Sequence, residues 1–122
     1  MARVKKDEVR EERITMEIIV DAYDEEERAL GWYYYLDEVL GFPFKAKCIL
    51  ERPTSPLEEG QIVEVQGMAS EEACLHEMFV EIQWQQRQLA VPLAQLEPAA
   101  VDDETQEAID DWHYWVGRGY RF

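Results

Sequence analysis

Carboxylates are the side chains in this sequence best placed to do chemistry, and they fall into three groups. One brackets a stretch of helical character: Asp21, Asp24, Glu25, Glu26 and Glu27 at its start, Asp37 and Glu38 near its end. A second comprises Asp102, Asp103, Glu104, Glu107, Asp110 and Asp111, and a third Glu71, Glu72 and Glu77. Calcium takes about six to eight oxygen ligands, some from backbone carbonyls and water, so a few converging carboxylates suffice for a site. In the second group, Asp103, Glu107 and Asp110 or Asp111 fall at i, i+4 and i+7 or i+8, which puts them on one helix face. Like charges on one face repel, and a divalent cation relieves that repulsion. The competing reading is plain: acids at helix starts act as caps and favour the helix dipole, and any single one is ordinarily solvated surface. The D-x-[DN]-x-[DN]-G loop is absent, which excludes an EF-hand.

Other chemistries have less support. Cys48, Cys74, His76 and His113 are the only soft-ligand set, and a zinc site would need all four to converge. Cys74-x-His76 is tight spacing for such a site, and buried thiols packing as small apolar groups are the simpler account. No Gly-rich phosphate loop, catalytic triad motif or Cys–His nucleophile pair can be drawn, so an enzyme is not expected. The aromatic run Trp32-Tyr33-Tyr34-Tyr35 sits among acids, not the bases that a nucleic-acid stacking platform requires. It reads as core and interface packing.

The totals agree. Twenty-seven Asp and Glu face 12 Lys and Arg, a formal charge of −15 on 122 residues. That field repels phosphate, making nucleic acid and anionic membrane poor partners, and it favours cations or a basic protein surface. It also serves solubility alone. The length suits one domain over residues 1–122, and the 47% apolar content suits a folded one. Residues 1–12 are charged, expected to fray or stay flexible, and lack the apolar core of a secretory signal. No apolar run approaches the ~20 residues that span a bilayer, and the cytoplasm is the expected location.

Several elements must position these acids. Residues 6–20, rich in Glu and Arg, read as a helix, and Ile14, Ile18, Ile19 and Ala22 recur at helical spacing. Asp24 with Glu27 forms a capping-box pattern that opens a second helix to about Leu40, ended by Gly41 and Phe42-Pro43. Leu30, Tyr33 and Tyr34 are assigned to its buried side. Strands are predicted over 45–50, from Ile62 to about Gly67, and over 79–84, where Val80, Ile82 and Trp84 alternate with polar residues. A polar turn at Gln85–Gln88 leads into Leu89, Val91 and Leu93, with Pro92 marking an edge strand or strand end. A last helix runs from about Asp103, as cap with Gln106 as its partner, to Val116, with Ile109, Trp112 and Val116 facing the core. The sum is an α+β fold: N-terminal helices, a small antiparallel SH3-like partial barrel and a C-terminal helix.

The segment from Glu17 to Leu36, EIIVDAYDEEERALGWYYYL, leading into Phe42-Pro43-Phe44, resembles the small calcium-binding family of cyanobacteria and other bacteria known as CcbP. The similarity continues through Gly67-Met68-Ala69, Cys74 with His76-Glu77-Met78-Phe79-Val80, Leu89-Ala90-Val91-Pro92-Leu93 and Asp111-Trp112-His113-Tyr114-Trp115, covering the chain from about Arg13 onward. The resemblance implies a non-EF-hand calcium binder that buffers or senses intracellular calcium and has no enzymatic activity. It points to Asp37 and the acids around Asp24 as ligands. The full set nominated for calcium is Asp21, Asp24, Glu25, Asp37, Glu38, Asp103, Glu107 and Asp110. The alternatives are an acidic module that docks a basic protein without metal, and the zinc protein above.

Overall fold

The structure is a computed structural model that describes residues 4–120. Three α-helices and five strands follow in the order α1 (Glu8–Glu17), α2 (Glu25–Val39), β1 (Phe44–Cys48), β2 (Ile62–Met68), β3 (Phe79–Trp84), β4 (Arg87–Pro92), β5 (Leu96–Ala99) and α3 (Asp103–Gly117). Short 3-10 turns lie at Glu72–Cys74 and Leu93–Gln95.

Each helix starts where an aspartate can cap it. Asp7 accepts from Arg10 N, Asp24 from Glu27 N, and Asp102 from Thr105 N. The cap of α3 is thus Asp102, not the expected Asp103: the Thr105 backbone N–H reaches the Asp102 carboxylate at 2.7 Å and the Thr105 side chain bonds it as well, while the same hydroxyl accepts from Gly41 N. α1 is also shorter than the periodicity suggests. Both Ile18 N and Ile19 N turn back to Ile14 O, and Asp21 adopts φ +58, so the chain leaves the helix in a tight elbow. That elbow is pressed against α2 at Gly31, where an added Cβ would lie 2.7 Å from Ile18 O. Glycine in mid-helix is explained by this close approach.

The sheet is antiparallel throughout, in the order β4-β3-β2-β1-β5. It stays open, with β4 and β5 as edges, so the SH3-like label expected from strand spacing is not confirmed. Alternation places Ala46, Val63, Val65, Val80 and Ile82 inside. A bulge between Val65 and Gly67 inserts one residue, so that Met68 rather than Gly67 points inward opposite Val80. The β3–β4 hairpin closes on Gln85 and Gln86, both with positive φ, the backbone that a two-residue turn between right-twisted strands requires. β5 is the strand the sequence reading lacked; it is four residues long and carries Pro98, which an edge strand tolerates.

The helices pack on the sheet and on one another through tryptophan. Trp32 is fully buried, its ring centroid 5.0 Å from Trp112 and 5.8 Å from Trp115. Of the aromatic run it is therefore Trp32 that anchors α2, while Tyr34, expected inside, is mostly exposed. Val116 is likewise partly exposed, contrary to its assignment to the core. Among the described residues no helix is long and apolar enough to cross a membrane.

Candidate metal centre

The helical phase of α2 sends Tyr33 and Tyr35 to opposite flanks, and the charge of carboxylates from α2 itself and from other elements acts on the phenols. Tyr33 donates to Ala69 O at 2.9 Å, fixing α2 against the end of β2. Its pKa is raised first by burial, then by the charge of Asp37, the Cys74 thiol, Glu71 and Glu81. Asp37 lies one helical turn beyond Tyr33, Glu71 lies in the loop after β2, and Glu81 lies on β3. The next residue along, Tyr34, donates its hydroxyl to Glu71, which raises the Tyr34 pKa and ties the loop to the helix.

On the other flank, Tyr35 and Val39 form the apolar floor of a hollow of about 500 Å³, whose walls are Glu17 of α1, Glu38 of α2, and Glu104 and Glu107 of α3. The Tyr35 pKa is raised by burial foremost, then by Asp111, with Glu107 and Glu17 adding to it and Arg13 opposing. Arg13 is the base at this flank. Its guanidinium lies 3.4 Å from Glu107 but is committed mainly to Asp111, at 2.6 Å to each carboxylate oxygen.

The nominated residues thus divide. Asp37, Glu71 and Glu81 each raise the Tyr33 pKa through their charge, and Glu71 accepts from the neighbouring Tyr34 hydroxyl. Glu38 and Glu107 are brought together in the hollow, joined by Glu17 and Glu104, which the sequence reading did not single out as ligands. Asp24, Glu25 and Asp103 occupy the cap or first turn of their helices, Asp21 is in the elbow, and Asp110 accepts from Gln106. These five do not join either set. Asp111, placed with Asp103 and Glu107 on one solvent face, instead turns inward and is buried under Arg10 and Arg13. Among the described residues, no three His, Cys, Asp or Glu side chains already stand close enough to hold a bare metal ion. The zinc set is dispersed too: Cys48 and Cys74 are buried free thiols bonded to the carbonyls of Leu50 and Phe79, and His76 is exposed.

The donors lining the hollow beside Tyr35 are oxygens with no soft ligand among them, which suits a hard cation such as calcium over zinc. A hollow this wide leaves room for the water ligands that calcium commonly retains. The class of protein is set by the fold together with the family match rather than by a preformed ligand cluster among the described residues. The chain belongs to the CcbP family, described as calcium binding, whose model matches residues 12–116. It is similar over its full length, and theirs, to two solved structures: Anabaena CcbP, at 50% identity and a TM-score of 0.87, and a calcium-binding protein in its calcium-binding form, at 49% and 0.86. No curated protein matches the chain. The family is one of calcium-binding proteins, not of enzymes.

Proposed function

We propose that this protein binds calcium on both flanks of α2 and works as an intracellular calcium buffer or sensor. The observation that carries the proposal is the hollow beside Tyr35, lined by acids of three helices, with further carboxylate charge acting on Tyr33 from the opposite flank. Asp37, Glu71 and Glu81 form the first set, and Glu17, Glu38, Glu104 and Glu107 the second. Helices, loop and sheet each contribute, so the charges are assembled by folding and their mutual repulsion is a standing cost that a divalent ion offsets. Asp21, Asp24, Glu25, Asp103 and Asp110 add to the field that draws the ion in without themselves ligating it. Membership of a calcium-binding family and the likeness to a calcium-binding protein in its calcium-binding form favour calcium as the ion.

The mechanism is mass action. An ion bound only by the folded chain stabilises it and ties α1, α2 and α3 together across the hollow. Isothermal calorimetry on Asp37→Asn and on Glu38→Gln/Glu107→Gln tests the assignment. Loss of one class of site in each variant is expected; unchanged affinity and stoichiometry in both would remove these residues from the site.

A further inference from the structure

α1 offers a second surface, which shares Glu17 with the hollow proposed for calcium. Its inner face is spent on the fold: Ile14 is fully buried, and Arg10 and Arg13 reach Asp111. Its outer face carries Val9, 80% exposed, and Met16, 65% exposed, two helical turns apart along one line. Between them is a shallow groove of about 310 Å³ lined by Val9, Glu12, Arg13, Met16 and Glu17. Arg13 contributes its aliphatic stem to this wall while its charge points back to Asp111 and Glu107. The outward charge of the groove is that of Glu12 and Glu17, with Lys5, Lys6 and Glu8 exposed near its Val9 end and Asp21 exposed beyond Met16, so its acidic part lies from Glu12 onward.

We propose that this face docks a basic amphipathic helix of another protein. Two exposed apolar anchors on a helix, about 10 Å apart along its axis, match the i and i+7 apolar positions of a partner helix. The flanking acids match lysines or arginines on either side of such a stripe. Charge decides against a second copy of this chain as the occupant, because each copy carries a formal charge of −15 and would bring its own acids to the seam. The apolar pair supplies specificity that a diffuse acidic surface lacks, since any polycation is drawn to the latter.

The test is fluorescence anisotropy of a short, labelled leucine/lysine amphipathic helix against the full chain, with a leucine/glutamate helix of the same design as control. Saturable binding of the basic helix is expected, weakened about tenfold by Val9→Ser with Met16→Ser, two substitutions at exposed positions. Ile62→Ser, at an exposed apolar residue of β2, should leave the affinity unchanged. Equal affinity for wild-type and Val9→Ser/Met16→Ser protein overturns the proposal, leaving only non-specific attraction. So does sedimentation of the protein alone as a dimer that those two substitutions dissociate, which would make a second copy the occupant.

Discussion

Arg13 and Asp111 form a bidentate pair, with both nitrogen–oxygen distances at 2.6 Å, around a carboxylate that has no solvent exposure. Arg10 adds a third bond at 2.6 Å to the same group. This pair fastens α1 to α3, and the fastening positions Glu17 opposite Glu104 and Glu107. The acid set around Tyr35 therefore depends on a polar contact that binds no ion itself.

Removing Asp111 should be costly. Asp111→Ala leaves two guanidinium groups facing a space that no longer holds an anion, and the expected loss is about 3 kcal/mol. That is the low end for a broken buried pair, because both arginines keep about a quarter of their side chains in water. Urea denaturation measures it. Replacing all three partners together, Arg10→Met/Arg13→Met/Asp111→Leu, should cost much less, since no charge is then stranded.

Gly31→Ala sets two effects against each other. Alanine favours a helix interior by about 1 kcal/mol over glycine. Its Cβ, however, would meet the carbonyl oxygen of Ile18 at 2.7 Å, and that atom is backbone held in the α1–α2 elbow. Forced displacement of packed structure costs about 1–3 kcal/mol, so a net loss of stability and a lower melting temperature are expected. A rise in melting temperature would show that the elbow yields freely.

Part of this was legible from residues alone. The Asp24 cap and β3 with its polar hairpin turn follow from local rules, an N-cap aspartate and strict alternation, whereas α2 ends through an extended Leu40 without Gly41 taking a left-handed backbone. The departures came from contacts between distant segments. Asp111 looks like one more surface acid until α1 delivers Arg10 and Arg13 to it across about a hundred residues of chain. Glu17 stands among the residues that carry the family resemblance, yet nothing local pairs it with Glu104, because only the packing of three helices creates the hollow they share. A signal for Glu104 did exist: it lies at i, i+3 from Glu107, the spacing of helix neighbours. β5 stayed hidden because a four-residue strand with a proline has neither length nor alternation to declare itself.

Acid should weaken the anchorage of α1 in a defined way. Hydrogen bonds from the hydroxyls of Tyr120 and Tyr114 hold the Glu11 carboxyl below its ordinary value of 4.5, with lesser help from Lys6 and Arg118. A carboxylate whose folded pKa is depressed contributes stability that is present above the unfolded value and lost as pH falls through the folded one. Stability should therefore decline below pH 4.5. Glu11→Gln should flatten that part of the profile, checked by denaturant melts across the acid range.

The tyrosines offer a spectroscopic check of the ion sites. Burial and the surrounding acids together hold the phenols of Tyr33 and Tyr35 above the usual tyrosine range. A bound cation cancels the carboxylate part and leaves the burial part, so calcium should lower both ionisation midpoints. Ultraviolet titration of tyrosinate with and without calcium measures the shift, and Asp37→Asn should reduce the calcium-dependent part at Tyr33. A midpoint that rises or stays fixed with calcium would place the ion away from both phenols.

Calorimetric titration of the metal-stripped protein with calcium, with magnesium as the control, bears most directly on the central claim. Saturable heats with calcium that magnesium does not reproduce are the expected result. They should be accompanied by a stabilisation of about 2.7 kcal/mol when free calcium stands a hundredfold above its dissociation constant. Flat heats and an unchanged melting temperature would contradict it, and would leave the carboxylates of both flanks as solubilising charge.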